Sequence, residues 1–269
     1  MTMSRILVTG AAGRIGRTLR EGLGKHYRLL RLLDIAPLGE AAAGEEVVRA
    51  DISDLNAMEA ALEGIDCVVH LAGVPEEDAW EKILPANIVG TYNVFEAARR
   101  RGARRIVFAS TNHVVGFHRR ERRLDETVMP RPDTRYGASK AFGEALGRLY
   151  ADKHGMSVAC LRIGSFQPKP QDERQLATWI SPGDTVRLVR CCIEAPAYHF
   201  LIVYGVSNNR DRRWFDAASR LLGYAPQDDA ESFAAEIRAR GEKPDPIAAR
   251  FHGGPYCAME FSGDLSKID

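Results

Sequence analysis

The stretch Arg5-Ile6-Leu7-Val8-Thr9-Gly10-Ala11-Ala12-Gly13-Arg14-Ile15-Gly16 decides how the chain folds. Its first five residues form a short apolar run that reads as a buried strand, and Arg14 to Gly24 follows as a helix. Between them, glycines at 10, 13 and 16 allow a tight turn, let the backbone approach a pyrophosphate and let helix pack closely on strand. The helix start adds unpaired N–H groups for an anion, so Gly10, Gly13, Arg14, Ile15 and Gly16 are the expected phosphate cradle. A second strand, Tyr27 to Asp34, ends in a carboxylate 18 residues after Gly16, the context this motif requires. A carboxylate at Asp34 accepts hydrogen bonds from an adenosine ribose and repels a 2′-phosphate, which favours NAD over NADP. The next residues, Ile35-Ala36-Pro37, bring no arginine to hold such a phosphate, and Arg31 is the nearest one upstream.

Outward from this unit the same rhythm continues. Glu46 to Ala50 reads as a third strand, Asp54 to Leu62 as a helix capped by Ser53 or Asp54, and Asp66 to Leu71 as a fourth strand. A helix from about Ile88 to Arg101 leads into the strand Arg104 to Ala109. After a charged loop, Arg119 to Arg135, come a helix from Tyr136 to His154 and a strand from Ser157 to Arg162. Strands alternating with helices imply a parallel sheet covered on both faces, a Rossmann-type doubly wound α/β fold. Residues 1–163 are the expected dinucleotide-binding core, and 164–269 a smaller substrate-binding region completing the same unit. In that second part, Ser165 to Trp179 reads as loop, Ser181-Pro182-Gly183-Asp184 caps a helix to Glu194, and His199 to Tyr204 is a last strand. Asn208 to Leu222 and Asp229 to Arg238 read as helices, and the tail after Pro244 has no strong period. Asp51-Ile52, at the end of the third strand, reads either as the adenine edge or, at Asp51, as a helix-capping acid before Leu55.

Composition narrows the function. The 269 residues carry 37 Lys+Arg against 36 Asp+Glu, a net charge of +1, with 45% apolar residues, which is an ordinary globular chain. Short basic clusters such as Arg99-Arg100-Arg101 are balanced by acids elsewhere, so no nucleic-acid partner is expected. No apolar run is long enough to span a bilayer and the start MTMSRILVTG lacks a secretory pattern, so a cytoplasmic place without membrane contact is expected. Five cysteines, Cys67, Cys160, Cys191, Cys192 and Cys257, show no CxxC spacing, which speaks against a disulfide scaffold or a structural zinc site, and no metal is expected.

Tyr136-Gly137-Ala138-Ser139-Lys140 sets a phenol and an ammonium four residues apart on one helix face. A free phenol titrates near ~10 and is a poor base at neutral pH, so a neighbouring cation is what makes it useful for proton transfer. With Gly10-x-x-Gly13-x-x-Gly16, His70-Leu71-Ala72-Gly73, Asn87-x-x-Gly90-Thr91-x-Asn93 and Tyr136-x-x-x-Lys140, the sequence resembles the extended branch of the short-chain dehydrogenase/reductase superfamily, over about residues 5 to 225. The resemblance implies that Tyr136 is the proton acceptor and that Lys140 binds the nicotinamide ribose. It implies further that Leu71, Ala72 and Gly73 line the nicotinamide side, that Asn87 supports the cofactor, and that Ser110 or Thr111 steadies the reacting oxygen, the spacing to Tyr136 favouring Thr111.

Within that family the segments Ser110-Thr111-Asn112-His113, Arg162-Ile163-Gly164-Ser165 and Pro168 to Trp179 look like those of the uronate dehydrogenases. That likeness implies NAD-dependent oxidation of the anomeric carbon of D-glucuronate or D-galacturonate to an aldaro-lactone. A guanidinium clamps a carboxylate with two parallel hydrogen bonds, and Arg174, with Lys169 second, is the candidate. Pro75, Asn112, His113, Ser165 and Tyr256 complete the expected substrate contacts around Thr111 and Tyr136. A homo-oligomer is expected, with the Tyr136 helix as one pairing element. Two other readings stay open: a nucleotide-sugar epimerase or dehydratase that retains its NAD, and a non-catalytic dinucleotide sensor.

Overall fold

The computed structural model describes residues 3–241 and 243–268. Its elements run β1 (Arg5–Thr9), α1 (Arg14–Leu23), β2 (Leu29–Asp34), β3 (Glu45–Arg49), α2 (Leu55–Ala61), β4 (Cys67–His70), α3 (Trp80–Ile83), α4 (Thr91–Arg100), β5 (Arg105–Thr111) and α5 (Arg135–His154). Then follow β6 (Ser157–Ile163), β7 (Ser165–Phe166), α6 (Gln175–Thr178), β8 (Trp179–Ile180), α7 (Pro182–Glu194) and β9 (Phe200–Gly205). Seven strands form one sheet in the order β3-β2-β1-β4-β5-β6-β9, and every pairing in it is parallel. The strand expected at His199 to Tyr204 thus joins the sheet of the first part.

The inner strands are buried on both faces, as a helix-covered parallel sheet requires. Their side chains alternate between two cores: Ile6, Val8, Cys67, Val69 and Val107 pack toward α1 and α7, whereas Leu7, Val68, Ile106 and Phe108 pack toward α2, α4 and α5. Close approach needs small residues at the contacts. A Cβ at Gly143 of α5 would collide with the Phe108 ring, and one at Gly22 of α1 would meet Val186 of α7 at 2.6 Å. The edge strand β3 is instead mostly charged, which discourages pairing with another sheet.

Caps follow the sequence closely. Asp54, not Ser53, caps α2 by accepting from the N–H groups of Asn56 and Ala57, and Ser181 caps α7. The differences lie where side-chain hydrogen bonds compete with helix. Between Asn208 and Leu222 only Ala218–Leu222 is α-helical. Asn209 spends its amide on the Trp179 carbonyl (2.7 Å) and accepts from the Ala230 N–H, while Asp216 accepts from the N–H groups of Tyr204 and Ser219, which starts the helix late. The segment from Ser165 to Trp179, expected as loop, holds α6 and a two-stranded parallel pair of β7 and β8. The tail after Pro244 forms two short helices, Pro246–Arg250 and Pro255–Ala258. No helix among the described residues is long and apolar enough to cross a membrane.

Behind the carboxyl ends of β5 and β6 lies a buried ionic knot. Arg162 of β6 donates to both carboxylate oxygens of Glu144 on α5 at 3.0 and 2.9 Å, and Ser110 of β5 donates to the same carboxylate at 2.7 Å. The third nitrogen of Arg162 reaches the Tyr204 hydroxyl of β9 at 3.2 Å. This bidentate pair fixes α5 against three strands. Removing one partner strands the other charge in the interior, so Arg162→Ala is expected to lower the unfolding free energy by roughly 3–5 kcal/mol in a urea titration.

Candidate active site

The turn after β1 has the geometry its glycines allow. Gly10 has φ +72°, and a Cβ there would meet the backbone of Ala72 at 2.6 Å; one at Gly16 would collide with the Gly10 carbonyl. At Gly13 a Cβ would meet only the Gly10 carbonyl, at 3.2 Å, so its outer side is open to a ligand. Gly13 caps α1 without a side-chain hydrogen bond and no acid stands in the first turn, leaving the N–H groups around Arg14 and Ile15 for an anion. Asp34 accepts from the N–H groups of Ala12 and Ala36, both at 2.9 Å, tying the end of β2 to the turn. Each carboxylate oxygen keeps lone-pair capacity for a ribose hydroxyl. Asp51 is exposed and accepts from the Ser53 N–H, while Ile52 is buried beneath Gly90 and its carbonyl accepts from Asn93.

A polar chain fixes the loop after β4. The Thr9 hydroxyl bonds His70 Nδ1 at 2.8 Å, His70 Nε2 bonds the Thr91 hydroxyl at 3.3 Å, and the Ala72 N–H donates to Thr9. Burial and the nearby Lys140 charge pull His70 down to about 3, so it is neutral and structural. Leu71, Ala72 and Gly73 follow, half-buried, with Gly73 at φ +141°. The Asn87 amide fills the place a Cβ on Gly73 would take; it binds both the N–H and the carbonyl of Val74, and donates to Ser139 on α5 at 2.9 Å. Asn87 sits in a π-helical turn, Leu84–Gly90, and its side chain is spent on the loop it clamps and on Ser139. Pro75 is exposed on the same loop.

At the start of α5 the side chains of Tyr136 and Lys140 are buried one turn apart. Burial pushes the phenol up to about 12, against which the hydrogen-bonded Thr111 hydroxyl pulls it down. The Lys140 ammonium lies 5.9 Å from the Tyr136 ring centre and 5.0 Å from that of Phe108, and burial lowers it to about 8. It has no hydrogen-bond acceptor among the described residues, so it is available to ribose hydroxyls. Strand alternation separates the two candidate hydroxyls: Ser110 serves the Glu144 knot on one face and Thr111 meets the phenol on the other.

Thr111, Asn112 and His113 lead from the phenol to a cation. With its amide oriented to suit its neighbours, Asn112 donates to the Ile163 carbonyl at 3.1 Å and accepts from Arg174 Nη2 at 2.8 Å. Arg174 also donates to the His252 carbonyl at 2.8 Å and reaches Ser165 Oγ at 3.5 Å; Ser165 in turn bonds Thr178. Among the described residues this guanidinium forms no salt bridge; burial disfavours its charge, against which the more distant Asp172 and Asp133 carboxylates act. A Cβ at Gly254 would collide with the Arg174 side chain, so the C-terminal tail packs directly on the cation. Tyr256 from that tail stacks on His113, ring centres 4.1 Å apart. Lys169 does not join the group: it is exposed, 5.8 Å above the Phe233 ring. His252, Gly254 and Asp133, which bonds His113, carry no local signal in the sequence, because only the tertiary fold brings the tail and residue 133 to β5.

Residues 6–190 match the NAD dependent epimerase/dehydratase family. The chain belongs to that family. It is 43% identical to the uronate dehydrogenase of Pseudomonas putida over 255 residues, covering 94% of this chain and 95% of that one. A crystal structure of a tyrosine-to-alanine mutant of the uronate dehydrogenase from Agrobacterium tumefaciens, complexed with NAD, superposes with TM-score 0.91 at 44% identity, covering 96% of this chain and 98% of that one. The glucuronic acid dehydrogenase of Chromohalobacter salexigens superposes with TM-score 0.92 at 42% identity, covering 99% and 100%. Among the described residues no group of three His, Cys, Asp or Glu side chains is placed to hold a metal ion. Because Asp34 both anchors the turn and offers ribose acceptors, Asp34→Ala is expected to weaken NAD binding about tenfold or more in a fluorescence titration while changing NADP binding little.

Proposed function

We propose that the protein oxidises the anomeric carbon of a hexuronate, D-glucuronate or D-galacturonate, to the aldaro-lactone with NAD as the oxidant. The observation that carries this reading is Arg174, a guanidinium held by neutral partners and without a bonded carboxylate among the described residues. A substrate carboxylate is the partner that would offset its desolvation. Thr111 at the phenol and Asn112 at the guanidinium are consecutive, about 3.8 Å apart along the chain. Proton acceptor and anion clamp are thus tied to adjacent residues at one strand end.

The residues fit NAD. The Gly10–Gly16 turn would hold its pyrophosphate, Asp34 its adenosine ribose, Asp51-Ile52 its adenine edge, Leu71-Ala72-Gly73 its nicotinamide side, and the unpaired Lys140 its other ribose. When bound, the oxidised cofactor supplies the hydride acceptor and a positive charge near the phenol. Tyr136 takes the proton of the C1 hydroxyl as the C1 hydrogen leaves with its electron pair, and the C1–O bond becomes the lactone carbonyl. Thr111 steadies that oxygen, and Lys140 favours the phenolate. Asn112, His113 and Ser165 bind hydroxyls and carboxylate, with Tyr256 and Pro75 on the rim. Residues 1–163 serve mainly the cofactor and 164–269 mainly the substrate.

A homo-oligomer and a cytoplasmic location belong to the same reading. Trp80, Leu84, Val89, Tyr92 and Leu149, on α3, α4, the turn between them and the neighbouring α5, are 39–48% exposed, an apolar face suited to a second copy. Five free cysteines suit a reducing compartment. Light scattering on a sizing column is expected to show a dimer that Tyr92→Glu with Leu149→Glu converts to monomer. In steady-state kinetics, Arg174→Ala is expected to raise the uronate KM about tenfold or more with a smaller change in kcat. Tyr136→Phe is expected to lower kcat roughly 10²- to 10⁴-fold while NAD binding persists. Negligible effects of both would contradict the site.

A further inference from the structure

A second buried acid stands beside the site and takes no part in the proton transfer described above. Asp133, in the loop before α5, has a fully buried carboxylate, and its Oδ2 lies 2.7 Å from His113 Nδ1. The other oxygen accepts from the Thr134 hydroxyl at 3.0 Å. Two glycines close around it, for a Cβ on either Gly116 or Gly253 would collide with the carboxylate. The backbone reinforces the pairing: the Asp133 N–H donates to the His113 carbonyl at 3.3 Å, and the Gly253 N–H to the Gly116 carbonyl at 2.9 Å. Space has therefore been left for this carboxylate from three parts of the chain.

We infer that Asp133 is a positioning residue for substrate recognition: it fixes His113 in the orientation and tautomer that present bare Nε2 to a hydroxyl of the sugar. A carboxylate only accepts, so Nδ1 is the nitrogen that carries a proton toward Asp133, and in that tautomer Nε2 is left as an acceptor. The ring is packed between two others, stacked on Tyr256 at 4.1 Å and set edgewise to Tyr136, ring centres 6.2 Å apart. An acceptor there selects a hydroxyl donor, and a ligand lacking that hydroxyl leaves Nε2 unpaired, which discriminates more strongly than shape. The placement has a cost, since the Asp133 charge raises the phenol of Tyr136 and so opposes its deprotonation. The same charge favours the cationic form of Arg174, which suits a role in binding rather than in proton transfer.

The inference rests on the hexuronate reading, and a double-mutant cycle separates the two. With wild-type protein active on uronates, Asp133→Asn, nearly isosteric, leaves the amide free to offer either oxygen or nitrogen to Nδ1. It is expected to raise the uronate KM about tenfold, to change kcat less than about threefold, and to leave the Kd for NAD unchanged. His113→Ala is expected to raise KM at least as much, and the double variant no further than His113→Ala alone. Gly253→Ala, which displaces the carboxylate without removing its charge, is expected to reproduce the KM effect. The inference is overturned if Asp133→Asn behaves as wild type, if the two substitutions multiply, or if the loss falls on kcat or on NAD binding. Absence of uronate oxidation by the wild-type protein overturns the functional reading itself.

Discussion

All six pairings in the main sheet are parallel, and that constraint gathers the strand-end groups of the site on one edge. Parallel strands end on one edge, and their helical crossovers keep the faces covered, so loops at the carboxyl ends are where backbone and side chains are free to meet a ligand. The Gly10 turn follows β1, Asp34 ends β2, Leu71–Gly73 follows β4, Thr111–His113 closes β5 and Ser165 follows β6. The register sets the chemistry as well. A one-residue slip in β5 would send Thr111 to the Glu144 side and Ser110 to the phenol.

Buried cations differ in whether they lie behind the strand ends or at them. Arg162 is paired with Glu144, and Arg105 donates to four carbonyls at the end of α7. These basic groups hold strands and helices together. Lys140 and Arg174, by contrast, lie buried or partly buried with no carboxylate partner among the described residues, one beside the phenol and one beside Asn112. Burial acts against both charges. Two cations at one strand edge without a carboxylate bonded to either among the described residues are costly in a protein that needs them only for its own stability, and sensible in one that binds ribose hydroxyls and a sugar carboxylate there.

Local signals in the sequence carried most of this. The glycine turn, Asp34 and the Tyr136/Lys140 spacing are each written within a few residues of an element boundary, so periodicity and turn chemistry were enough to place them. The fragments that periodicity misplaced are those held by side-chain hydrogen bonds across the fold. Asn209 unwinds the start of the helix expected from Asn208, and the tail after Pro244 gains its shape by packing on Arg174, His113 and Asp133. Asp133 had no local mark either, because its partner lies 20 residues away and meets it only when the loop before α5 folds back onto β5. The choice between Ser110 and Thr111 needed the register, which a single strand does not reveal.

In the proposed reaction a carboxylate-seeking cation and a proton-accepting phenol act on the same sugar. Absorbance at 340 nm, recorded with purified protein, saturating NAD and either D-glucuronate, D-galacturonate, D-glucose or D-galactose, tests it most directly. NADH formed with the two uronates and not with the neutral sugars is the expected result. Equal rates with the neutral sugars, or no NADH from any of the four in protein that binds NAD, would contradict it.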